Sequence, residues 1–337
     1  ARDTQGNFSQ ITTHFTYDPE TLSPPWVTKA SMAAARSQTV GDAIDGILYL
    51  AGGWDGHDTP TLQAYNPTAN TWSTLASMPG GRYGSSGAAV MDGKLYVPGG
   101  WTTSPGLPNG NLYVYDPQTN AWTEKAPLPN SRRTACGAAG VINGKMYMTT
   151  ACDGYNGYRN FLDVYDPATD IWSSLPASQS AHGYPAWGVI ENKLYVAGGH
   201  TDNGNTGNTL EVYDPVTNTW ATKAPLPVAG VGFASGVIDG KLYVTGGTDA
   251  QSNILSDLFI YDPASNTWSK DTAALMPTPR LHSASGVING ILYVAGGQTI
   301  AGASNVLDAY DPIGSPAKQG KVLVAGGHIK FWSSAPL

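Results

Sequence analysis

Apolar residues along this chain come in short runs closed by turn residues, with no helical stripe. The clearest runs are LYLAGG, LYVPGG, LYVAGG, LYVTGG and LYVAGG, whose glycine doublets begin at Gly52, Gly99, Gly198, Gly246 and Gly296. A degraded copy, KMYMTTAC, occupies residues 145–152. A run of small residues such as HSASGVI precedes the doublet run, and Asn143-Gly144, Asp239-Gly240 and Asn289-Gly290 stand between two such runs. These dipeptides favour positive φ at both central positions, which predicts two-residue hairpins. Downstream, a run ends at the tyrosine of a Tyr-Asp/Asn-Pro triplet, found at 17, 65, 115, 165, 213, 261 and 310 with steps of 48, 50, 50, 48, 48 and 49. In five copies a tryptophan follows seven residues later, at Trp72, Trp122, Trp172, Trp220 and Trp268, while the first copy stretches to Trp26. Each unit therefore predicts four short antiparallel strands, and a row of such sheets buries both faces of each by closing into a ring.

The glycine doublet followed by Tyr-Asp-Pro-x-Thr-Asn-x-Trp at this period resembles the Kelch repeat of β-propellers, over nearly the whole chain. The resemblance implies an all-β fold, a Kelch-type β-propeller of four-stranded antiparallel blades forming a single domain over 1–337. The seven tyrosine blocks favour seven blades, with six as the alternative. The last doublet, Gly326-Gly327, follows Gly296 by only 30 residues, while 14–30 supply two strands with no partner before them. Residues 14–30 and 321–327 are therefore expected to share one closing blade. Recurring Trp, Tyr and Asp-Pro residues are expected to pack blades and fix turns rather than to bind ligands.

Net charge is −7 and only 13% of residues are charged, which argues against nucleic acid as a partner. No apolar run is long enough to span a bilayer as a helix, so no membrane partner is expected. The opening Ala1-Arg2-Asp3 lacks the apolar stretch of a signal peptide, so the chain is expected to be soluble or else a mature form already cleaved, and a monomer, extracytoplasmic or secreted. Two cysteines exclude a disulfide scaffold and a four-thiolate zinc site. Counting outward from the Asn143-Gly144 turn puts Cys136 within reach of Cys152 if a bulge intervenes, so a disulfide is expected.

What differs between blades should carry function. In proteins that this chain resembles, the loop after the doublet and the head of the innermost strand meet on one rim of the central channel. That carries Trp54, Asp55, Trp101, Asp153, Tyr155, His200 and Asp202 from the loops, and Arg82, Tyr83, Arg133, Tyr184, Arg280 and His282 from the strand heads, to a shared concave face. Aromatics with a few polar groups suit stacking and hydrogen bonding to a carbohydrate or an extended peptide. No HExxH, GxSxG or clustered Cys/His spacing occurs, so neither a metal nor a cofactor is expected. A copper site using His200, His282 and His328 would need a Tyr-His pair and a capping domain that are not seen. The favoured reading is non-catalytic ligand binding. The alternatives are a sugar mutarotase, isomerase or lyase, as in sialic-acid enzymes of similar fold, and a scaffold that holds an acidic peptide through Arg36, Arg82, Arg133 and Arg280.

Overall fold

The computed structural model describes residues 25–84, 87–103, 109–129, 136–152 and 157–312, with the strands Leu323–Ala325 and His328–Lys330. Six four-stranded antiparallel sheets account for nearly all of it, and no helix occurs among the described residues. Blade I begins with Val40–Ile44, blade II with Ala89–Met91, blade III with Ala139–Ile142, blade IV with Ala186–Ile190, blade V with Gly230–Ile238 and blade VI with Ala284–Ile288. These six are the inner strands; consecutive ones contact each other around the full circle, Val40–Ile44 against Ala284–Ile288 included.

Blade VI corrects two expectations. Its outer strand is Trp26–Lys29, paired with Leu307–Tyr310 in the register Trp26↔Tyr310 to Lys29↔Leu307. The tryptophan of the first block and the tyrosine of the seventh are thus the two halves of one unit, so seven blocks make six blades. The C-terminal strand does not join this blade: Leu323–Ala325 pairs with His328–Lys330 in a sheet of its own. The remainder of 14–30, before residue 25, lies outside the described residues.

The repeat residues tie each blade to the one before it. Each Tyr pairs in register with its Trp, as in Tyr65↔Trp72, with ring centroids 5.1 Å apart. The Trp72 indole donates to the Ala30 carbonyl at 2.7 Å, and Trp122 repeats this on Ala76 and Trp172 on Ala126. The Tyr65 hydroxyl donates to Asn70 Oδ1 at 2.7 Å, and the same oxygen accepts from Ala30 N–H. Asn143 and Gly144 both have positive φ, as the hairpin requires.

The glycine doublets prove to be blade junctions. The second glycine donates its N–H to the next blade's basic residue: Gly53 to Arg82 O at 2.8 Å, Gly247 to Arg280 O at 3.0 Å and Gly297 to Arg36 O at 2.8 Å. The side chain of that basic residue turns back into its own blade. Arg36 donates to Gly52 O and Gln63 Oε1, Arg82 to Gly99 O with its guanidinium 4.1 Å from the Tyr113 ring, and Arg280 pairs with Asp308 at 2.7 Å. In blade IV, His182 plays the part with Gly198 O and Glu211.

Candidate ligand-binding mouth

Two residues beyond Arg36, Arg82, His182 and Arg280, and at the matching places in blades III and V, the chain passes through a left-handed residue. Gln38, Gly84, Cys136, Tyr184, Gly232 and His282 have φ of 53°, 59°, 69°, 56°, 73° and 55°. Their amides form a closed circle around the channel. Gln38 N–H donates to His282 O, Gly84 to Gln38, Cys136 to Gly84, Tyr184 to Cys136, Gly232 to Tyr184 and His282 to Gly232, at 2.6–2.9 Å. This circle is a throat, and a small pocket of about 80 Å³ lies at it.

The two glycines make room for side chains from other blades. A Cβ on Gly84 would stand 2.9 Å from Gln38 Oε1 and 3.5 Å from the Tyr184 hydroxyl, and one on Gly232 would stand 3.0 Å from His282 Cε1. Tyr184 therefore reaches from blade IV over to blade II, and His282 leans over blade V. Tyr184 and His282 meet edge to face, centroids 4.5 Å apart. Burial, together with nearby His200, pushes the His282 imidazole down to about 4, so it is neutral at pH 7. Burial also lowers His200 and raises the Tyr184 phenol, which stays protonated. Among the described residues, the side chains of Gln38, Tyr184 and His282 have no hydrogen-bond partner, which leaves an amide, a hydroxyl and an imidazole free for a ligand.

Around the throat, the residue after each doublet pairs with the head of its own inner strand: Ser37↔Trp54, Tyr83↔Trp101, Gly183↔His200 and Leu281↔Gln298. In these four blades the loop after the doublet therefore meets the head of the inner strand. Trp54 and Tyr83 meet edge to face at 5.0 Å, both half-buried. His200 stacks on Tyr158 at 4.6 Å with ring planes 28° apart. Cys136 and Cys152 are joined as a disulfide with Cα atoms 5.9 Å apart, packed on Trp101, Tyr158 and Tyr184. The sheet register shifts between Thr150 and Cys152, beside the bond.

Other expected site residues stand elsewhere. Arg82 and Arg280, like Arg36, are buried within the blades at about 1% exposure, because the blade interior supplies their acceptors. They are not rim ligands. Asp55 is exposed and pairs with His57 at 2.9 Å, while Asp202 accepts the Ala181 amide at 3.2 Å. Arg133, Asp153 and Tyr155 lie outside the described residues. The sequence reading missed Gln38 and Tyr158. Gln38 was detectable, since it follows Arg36 by the same two residues that separate His182 from Tyr184 and Arg280 from His282.

The architecture is that of a propeller, and comparison with known proteins agrees. The chain matches the Attractin/LZTR1 beta-propeller over residues 48–251 and the KLHDC2/KLHL20/DRC7 Kelch-repeats domain over residues 182–325. The first match exceeds half the chain, which therefore belongs to the Kelch-repeat β-propeller family. Human Kelch-like protein 23 is 26% identical over 177 residues, 50% of this chain and 29% of that protein. The N-acetylneuraminate epimerase of Haemophilus influenzae (strain PittEE) is 38% identical over 94 residues, 26% of this chain and 25% of the epimerase. The chain thus aligns with less than a third of either relative. The solved structure of YjhT superposes with a TM-score of 0.72 at 21% identity, covering 82% of this chain and 95% of that one, a likeness of fold.

Proposed function

We propose that the mouth binds an uncharged carbohydrate without catalysis, the sugar stacking on Trp54, Tyr83, Trp101 and Tyr158 and bonding to Gln38, Tyr184 and His282. The observation that carries this reading is the throat itself: three polar side chains without partners among the described residues, ringed by aromatics, while Arg36, Arg82 and Arg280 are committed to the blades. An acidic peptide would need those guanidiniums at the surface. The disulfide suits an oxidising, extracytoplasmic compartment, which belongs to the same proposal. A glycan array followed by titration calorimetry tests it. Affinity should be insensitive to salt between 0.05 and 0.5 M, and Gln38→Gly, which the left-handed backbone accepts, should abolish binding without lowering the melting temperature. Trp54→Ala should cost roughly 1 kcal/mol of affinity or more. Salt-sensitive binding of acidic peptides with a silent array would refute the reading.

A second reading, sugar epimerisation or mutarotation at the same mouth, is favoured by the 94-residue match to an epimerase and by neutral His282 beside the protonated Tyr184 phenol, a base and an acid in one pocket. Mutarotation followed by NMR on array-positive sugars decides between the two.

A further inference from the structure

Just inside the throat, blade IV breaks the repeat. Opposite the residue that follows the tyrosine of the second strand, the inner strands carry Gly41, Ala139, Ser235 and Ser285 in blades I, III, V and VI, and the same count gives Ala88 in blade II. Blade IV carries Trp187, opposite Val196. The two serines serve the ring, Ser285 Oγ donating to Ser235 O at 2.8 Å and Ser235 Oγ to Trp187 O at 2.9 Å. Five blades thus line the channel with a small residue here, so closing the ring does not require an indole.

The Trp187 ring is half-buried and leaves its own blade. A Cβ on Gly140 would stand 3.9 Å from its Cζ3 and one on Gly87 3.2 Å from its Cζ2, so the indole lies over blade III and reaches blade II. At the place of Gly87 the other blades have Val40, Ala138, Ala186, Ala234 and Ala284, and blade II has given up its side chain where the ring arrives. The indole borders both the throat pocket of about 80 Å³ and a chamber of about 290 Å³, and so stands between them. Gln38, Tyr184 and His282 border the throat pocket with it.

Size and chemistry narrow what this pocket takes. An apolar cavity of about 150 Å³ accepts a benzene ring, so about 80 Å³ is too small for a sugar ring and suits a substituent of roughly three non-hydrogen atoms. Among the described residues that border it there is no Arg or Lys, and His282 is neutral, so a carboxylate would enter without a counter-charge. A lone hydroxyl would leave the indole face, Val40 and Phe233 uncovered. An acetyl group meets both needs: its methyl covers the apolar wall, and its carbonyl oxygen accepts from the Tyr184 hydroxyl or the Gln38 amide.

We propose that the throat is a blind socket for an acetyl group carried on a nitrogen or oxygen of the sugar, with Trp187 as its floor and the sugar ring above on the rim aromatics. This rests on the carbohydrate reading of the mouth and adds which sugars it admits. The test is titration calorimetry with glucose, galactose and mannose, each as the free hexose, the 2-acetamido sugar and the 6-O-acetyl ester, the last two telling an amide-borne from an ester-borne acetyl. At least one acetylated form should bind about tenfold or more tighter than its parent hexose, and lengthening that acetyl to butanoyl should cost about tenfold or more, because the socket is closed. Trp187→Ser, the residue of blades V and VI, should remove the penalty on butanoyl. Should that variant fail to fold or to bind, the acetyl and butanoyl pair on wild type decides alone. A hexose that binds as tightly as its acetylated forms, or a butanoyl form that binds as well as acetyl, would overturn the socket while carbohydrate binding stands. Silence of every form would also overturn the socket, and a silent glycan array would take the carbohydrate reading with it.

Discussion

Trp26 carries the closure of the ring, and replacing it with alanine measures how much of the fold hangs on that one strand. The side chain is 5% exposed, its ring lies 5.2 Å from Tyr310, and its indole N–H donates to Ala274 O at 3.0 Å. It packs in a core cluster with Tyr243, Leu258, Met276 and Leu292. An indole buries about 150–250 Å², worth roughly 4–6 kcal/mol at 25 cal/mol per Å². Direct truncations of buried aromatics cost about 3–5 kcal/mol, and the Ala274 carbonyl also loses its donor. The expected loss is therefore about 4 kcal/mol, or a midpoint drop of roughly 5–10 °C for a protein of this size. Urea titration followed by far-ultraviolet circular dichroism reads it, with Val27→Ala, at a position 39% exposed on the same strand, as a control expected to change stability by less than about 0.5 kcal/mol. A Trp26→Ala loss below about 1 kcal/mol would mean that the six-bladed ring closes without its N-terminal strand, and the assignment of blade VI would be wrong.

The remaining predictions concern buried charge. Arg280→Ala leaves Asp308 sealed in the blade without its cation and should cost about 3–5 kcal/mol, whereas Arg280→Met combined with Asp308→Leu should recover most of it; equal losses by urea titration would refute the pairing as the cause. His282 titrates near 4 when folded against about 6.5 when unfolded, so the unfolded chain takes up the proton first as pH falls. The stability that neutral His282 contributes is thus full above pH 6.5 and lost progressively down to about 4, with an upper bound near 3 kcal/mol. Asp42, raised to about 6, acts in the opposite sense, its contribution fading as pH rises from about 4 to 6. The comparison is therefore wild type against His282→Gln, whose stability should fall less between pH 6.5 and 4; parallel curves would show that His282 is not the titrating group.

Much of this fold was legible because its signals are local. Asn-Gly turns, Tyr-Trp pairs and doublets each act within about ten residues, and each recurs often enough to average out a degraded copy. Blade number was misread because the one unit that straddles the chain ends splits its Tyr and Trp between Tyr310 and Trp26, so counting tyrosines counted that unit twice. The arginines were misread for a different reason. A basic residue at a strand head looks like a rim ligand until its partner is found two residues before the repeat tyrosine: Gln63 for Arg36, Tyr113 for Arg82, Glu211 for His182 and Asp308 for Arg280. Where blade V has Gly230 the same position is Phe259, and the Phe233 ring packs against the glycine. The two positions change together from blade to blade, a pairing visible within one sequence once the repeats are stacked.

At the throat, side chains that break the repeat point to the proposed site better than residue type does. Its circle of backbone bonds needs a left-handed residue from every blade, a conformation that glycine adopts freely and other L-residues adopt at a cost of about 1 kcal/mol or more each. Gly84 and Gly232 meet that need without strain, yet Gln38, Cys136, Tyr184 and His282 occupy the same backbone state. Nothing in the hydrogen bonds of the circle distinguishes these four from glycine, since only their amides and carbonyls take part. Their retention must rest on the side chains: a disulfide in the case of Cys136, and polar groups without partners among the described residues in the other three. Strain of this kind persists where the surroundings over-determine it and function uses it. The left-handed dihedrals support the proposed ligand site independently of the family likeness, which fixes the fold but leaves open which rim residues act.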